Sequence, residues 1–180
     1  MKKFLLAAVL AILPVLGFAQ NDRFFNHETG SFDLVVNMMG QDMVTHTVFA
    51  GYGALQRAEV DAMGQHIVTV LRDGKTYMVS PNFQEVPTEE TVNYNALDQA
   101  TIDKYGIKMI GIEKMDGYDC LVYTLKMDVQ GFEGKGKVWI WDGFSIRAEV
   151  NVMGMTVVTK LKNLQLDTPV DKSLFDIPAK

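Results

Sequence analysis

Apolar and polar residues alternate with a period of two through most of the chain, a pattern that predicts strands with one covered and one wet face. Phe144, Ile146, Ala148, Val150 and Val152 fall on one side, and Ser145, Arg147, Glu149 and Asn151 on the other. Leu121, Tyr123, Leu125, Met127 and Val129 form a second stripe, facing away from Thr124, Lys126 and Asp128. Residues 34–39, 43–50 and 67–71 are apolar at both parities, which predicts strands covered on both faces. Turn signals separate these runs at short, even spacing. Asp73-Gly74, Asp116-Gly117 and Asp142-Gly143 each sit between two apolar stretches, where a two-residue hairpin turn needs positive φ at both central positions. One helix is predicted over 96–105, with Asn95 as its N-cap and Gly106 as its stop. The preceding segment from Ser80 to Thr91 holds Pro81, Pro87 and the Glu89-Glu90 pair and reads as a surface crossover. The expectation is a mainly β (α+β) fold: a single antiparallel meander interrupted by a helical crossover.

A short repeat runs through this pattern. Asn37-Met-Met39-Gly40, Asp61-Ala-Met63-Gly64 and Asn151-Val-Met153-Gly154-Met155 each straddle a turn, and in an up-and-down meander all three fall on one rim of the sheet, with the Asp-Gly turns on the other, provided the helix-bearing crossover returns the chain to the rim where it left. Gly131-Phe132-Glu133-Gly134 joins the Met-Gly rim. Such a rim is either a soft thioether-rich mouth for apolar ligands or a set of core caps folded over the sheet end.

Residues 1–19 have the layout of a cleavable export signal: Lys2 and Lys3, the apolar run from Phe4 to Leu16, then Gly17-Phe18-Ala19 as a small-x-small cleavage site. The run is short for a bilayer span, which needs about 20 apolar residues, and no cysteine follows to accept a lipid. The expected product is a single domain over 20–180, released outside the cytoplasm and not inserted in a membrane. Without Lys2 and Lys3, 15 basic residues stand against 22 acidic ones, a net charge of −7 that disfavours nucleic acid and anionic membrane surfaces. Cys120 is the lone cysteine, so no internal disulfide can form, and its apolar surroundings predict a buried, inert thiol. His27, His46 and His66 share no metal-ligand spacing, no nucleophile elbow is present, and Gly134-Lys135-Gly136-Lys137 lacks the context of a phosphate loop and reads as a flexible hairpin loop. These gaps argue against an enzyme and give no reason to expect a cofactor or metal.

The segment Asp73-Gly-Lys-Thr-Tyr77-Met-Val-Ser-Pro81-Asn-Phe83-Gln84-Glu-Val86 resembles part of the periplasmic Lol-type lipoprotein carriers and outer-membrane lipoprotein-sorting proteins, and Asp171-Lys-Ser-Leu-Phe175-Asp-Ile-Pro178 is similar to the Phe-x-x-Pro ending of the wider group. Gly117-Tyr-Asp-Cys120 and Lys137-Val-Trp-Ile-Trp-Asp-Gly143 resemble the central block of small exported relatives of unknown function. The resemblance implies a strongly curved, open half-barrel with a helical lid, located in the periplasm, that shelters acyl chains of lipid or lipidated protein. Trp139 and Trp141 project to one face of one strand and are either the lining of that pocket or a packed core pair. Tyr77 and Phe83 flank the family's mouth. The carriers place an Arg-Pro pair at the end of an early strand; here Arg57 precedes Ala58, a departure that bears on any lid-controlling role. The expected function is a carrier or binding protein for acyl chains; the alternative is an envelope interaction or sensing module with a filled core and a protein partner.

Overall fold

The computed structural model describes residues 23–38, 41–62, 64–87, 92–129, 132–152 and 154–178. The proposed export signal, and the side chains of Met39, Met63, Met153 and Phe132, lie outside what it describes.

Eleven antiparallel strands form one curved, unclosed sheet. In chain order they are β1 (Gly30–Met38), β2 (Gln41–Ala50), β3 (Leu55–Ala62), β4 (Gln65–Arg72), β5 (Lys75–Ser80), β6 (Gln84–Val86), β7 (Lys108–Met115), β8 (Tyr118–Val129), β9 (Phe132–Trp141), β10 (Phe144–Val152) and β11 (Met155–Leu166). The spatial order is β6-β5-β4-β3-β2-β1-β11-β10-β9-β8-β7. Two meanders are thus zipped together by β1 against β11, with Val36 opposite Thr159 and Leu34 opposite Leu161. β6 and β7 are neighbours in sequence but occupy opposite edges of the sheet, so the chain between them passes from one edge to the other. That crossover carries the helix α1 (Gln99–Tyr105).

The hairpin chemistry holds. Asp73 and Gly74, Asp116 and Gly117, and Asp142 and Gly143 all have positive φ, between 48° and 93°. They lie on one rim, whereas the β1–β2, β3–β4, β8–β9 and β10–β11 connections leave from the other, as the repeat predicted. Two expectations are corrected. Residues 134–137 are not a loop but lie inside β9, where Gly134 stands opposite Met127 and Val152, and Gly136 opposite Leu125 and Val150. The ladder on both sides supplies the pairing that these residues could not signal by side chain. The helix begins three residues later than predicted, because Asn95 is engaged elsewhere: its side-chain amide donates to the Phe24 carbonyl at 2.8 Å. Asp98 takes the cap instead, accepting from the Thr101 N–H at 2.7 Å, and Gly106 closes the helix at φ 55°.

The largest apolar cluster joins Phe32, Leu34, Val36, Phe49, Phe144, Ile146 and Leu161 to the N-terminal segment, whose Phe25 stacks flat on Phe144 at 4.1 Å. At the other terminus Phe175, on a 3₁₀ turn (Lys172–Phe175), is fully buried against Ala50 and Val70. Cys120 is buried, as expected, and burial pushes its thiol up in pKa, away from the reactive thiolate.

Candidate functional site

Residues directly opposite one another in an antiparallel ladder share a face. Tyr123 stands opposite Val138, Val138 opposite Ala148, Ala148 opposite Thr159, Thr159 opposite Val36, and Val36 opposite Met43. Alternation along β2 continues the same face through Thr45, Thr47 and Phe49, and the ladders onward add Val60 and Ile67. A single apolar face therefore runs across the sheet from β8 to β4. Over β1 to β4 the opposite face is polar in part, carrying Asp33, His46, Glu59 and His66, while its Ala50 and Val70 are buried under Phe175.

The crossover covers one end of this face. Val92, Tyr94, Leu97, Ile102 and Tyr105 pack on Ile107, Tyr123, Leu125, Val138 and Ile140. Burial pushes the Tyr94 hydroxyl well up in pKa, with Tyr123 adding to it, and burial raises Tyr123 too. The cover is thin, since none of the residues of α1 is itself fully buried. It also stops short: Ile140 is 4% exposed, but along the same row Leu121 is 38% and Ile112 67% exposed. With Met109 and Ile110 these make an apolar strip along the β7 edge. Toward the rim, Gly136 brings no side chain between Leu125 and Val150, which lowers the floor there.

Of the described residues singled out by sequence, Met155 continues the apolar face at its rim, while the others lie elsewhere, at three separate points. Trp139 and Trp141 occupy the face of β9 opposite Val138 and Ile140. The Trp139 indole N–H donates to Glu113 Oε2 at 2.7 Å, with Lys137 Nζ 4.4 Å above the ring. That bond, and then Lys137, hold the Glu113 carboxyl below the usual range. Trp141 packs against Tyr118 at 4.6 Å and stacks with Phe144. Tyr77 and Phe83 do meet, in a parallel stack at 6.0 Å, with Tyr77 opposite Val70. Arg57 donates to Glu59 at 2.6 Å and to the Leu174 carbonyl at 3.2 Å, so it fastens the C-terminal segment. Met155 is exposed. What sequence reasoning passed over is Met109, Ile110, Ile112 and the underside of the crossover. The signal was there in the apolar run on β7, but its exposure depends on β7 being an edge.

His27 sits beside Asp167; His46 and His66 lie beside Asp33 and Asp61 on one face, with Glu59 between them. Among the described residues no group of three or more His, Cys, Asp or Glu is placed to hold a metal ion. No helix among them is long and apolar enough to cross a membrane.

No protein family model matches the chain, and no curated protein matches it. Solved structures do. An uncharacterized conserved protein from Thermus thermophilus superposes with a TM-score of 0.59 at 10% identity, covering 85% of this chain and 87% of that one. The MucA/MucB complex of Pseudomonas aeruginosa gives 0.54 at 12% identity, over 83% of this chain and 56% of that one. A looser overlap, 0.37 at 11% identity over 82% of this chain and 88% of that one, is with a Vibrio parahaemolyticus outer membrane lipoprotein-sorting protein domain. At these identities the likeness is one of fold.

Proposed function

We propose that this protein is an exported, non-enzymatic carrier or binding protein that shelters acyl chains of lipid or lipidated protein on the helix-covered face. One observation carries the reading: an apolar face crossing the sheet is covered at one end by a short crossover with no fully buried helical residue, and the same face continues uncovered onto Leu121 and Ile112. Moving such a cover costs little compared with opening a packed core, and an acyl chain replaces the contacts it gives up. Ten methylenes transferred from water contribute about 8 kcal/mol before ordering costs, at about 0.8 kcal/mol each. No charged anchor is needed. The signal-like layout of residues 1–19 supports an extracytoplasmic setting.

Native mass spectrometry of protein purified without detergent tests this directly. Lipid adducts, or saturable binding of a pyrene-labelled fatty acyl probe, are expected. A protein that is lipid-free and takes up no such probe is not an acyl carrier. In that event the module reading stands, for which the exposed strip on β7 is the obvious surface, since an edge strand offers unpaired backbone groups alongside its apolar side chains.

A further inference from the structure

The covered face is not uniformly apolar. Every buried polar side chain among the described residues, Thr45, Thr47, Gln56, Thr69 and Thr76, lies on it, and all five are neutral. They gather on β2 to β5. Thr47 stands opposite Ala58, and Ala58 opposite Thr69, so three successive strands present short side chains in one row. This row runs between the Phe32, Phe49 and Leu71 cluster and the Val60, Ala62 and Ile67 cluster. Gln56 spends its amide locally, donating to the Gly53 carbonyl at 2.8 Å. Thr47 is different: it is 1% exposed, and its Oγ1 is the one buried side-chain oxygen or nitrogen among the described residues with no hydrogen-bond partner.

An unpartnered buried hydroxyl is costly, and valine would fill the same volume in a strand without that cost. A threonine held there makes sense if its hydroxyl gains a partner when the face is occupied. Resting on the acyl-carrier reading above, we infer that the Thr47 row is a polar subsite for the neutral linkage of an acyl ester or amide, with the Thr47 hydroxyl donating to the acyl carbonyl. The charge balance selects the ligand class. A free fatty-acid carboxylate brought to this row would be desolvated with no cation among the buried residues to pair with it, whereas an ester or amide carbonyl needs only a donor. Ala58 contributes only a methyl group to the middle of this row, and the apolar clusters on both sides would take the hydrocarbon.

The test compares three pyrene-labelled probes of one chain length, a methyl ester, the free acid and the alkane, on wild type, Thr47→Val and Thr47→Ser at neutral pH. Wild type is expected to prefer the ester over the acid. Thr47→Val should weaken ester binding about three- to tenfold, the worth of one neutral hydrogen bond, leave the alkane unchanged, and keep or raise Tm. Thr47→Ser should retain the ester preference. If Thr47→Val binds the ester as wild type does, or if wild type takes the free acid as well as the ester, the subsite is refuted while the acyl-carrier reading survives. If wild type binds none of the three probes, both fail.

Discussion

Phe175→Ala separates the fold-holding role of the C-terminal motif from the ligand face. Phe175 is fully buried among Ala50, Val70, Val48, Leu55, Val79, Val170 and Ile177, and its segment is tied down by Arg57 on the Leu174 carbonyl and by Arg72 on Asp176 at 2.9 Å. Truncating a buried Phe to Ala costs about 3–5 kcal/mol where the surroundings cannot collapse. Here the segment is terminal and can come away, which caps the loss near the lower figure. About 3 kcal/mol corresponds to a fall in Tm of roughly 6–12 °C for a domain of this size. Thermal melts should show that fall, and limited proteolysis should clip the end of the chain from the variant well below its Tm. Acyl-probe affinity, measured about 20 °C below the variant's Tm where the protein is still folded, should be unchanged. The reason is the register: Phe175 packs on Val70, which stands opposite Arg57, whereas Thr69 and Ala58 point to the other face. A Tm within about 3 °C of wild type, with an uncut terminus, would refute the anchoring argument; a lost probe affinity would refute the assignment of faces.

Gly143→Ala should be strongly destabilising in thermal melts, because φ is 86° and a Cβ there runs into the Phe24 carbonyl and the Asn95 amide; Gly117→Ala, at φ 93° with open space around it, should cost clearly less. Trp139→Phe keeps an aromatic ring but removes the donor to Glu113, so carboxyl-detected NMR titration should show the Glu113 pKa rising from its depressed value toward the ordinary one, with the remaining depression due to Lys137. The sign for stability follows. A depressed carboxyl stabilises the fold above its unfolded pKa, and that contribution disappears as pH falls through the folded value, so wild type should lose more stability than Trp139→Phe between neutral pH and that range. An identical acid profile for the two proteins would rule out the Trp139 bond as a source of the shift.

The period-two pattern, the Asp-Gly turns and the Gly106 stop determined the strands, three hairpins and the end of the helix, because each depends on chemistry within a few residues. The two-rim arrangement followed from counting antiparallel turns only within each meander; how the crossover joins the two was decided by the structure, where β6 ends on the Asp-Gly side and β7 begins on the other. Helix onset did not, because Asn95 and Asp98 are both good caps and a contact from Phe24, remote in sequence, chose between them. Nor did the place of Trp139 and Trp141: alternation shows that they share a face with each other, but not which face of the sheet the crossover covers. That was decided by β6 and β7 lying at opposite edges, which sends α1 over Val138 and Ile140 and leaves Ile112 uncovered. Sequence specifies parity within each strand; which parity meets a cover, and whether a threonine such as Thr47 finds a partner, depends on elements brought together from far along the chain.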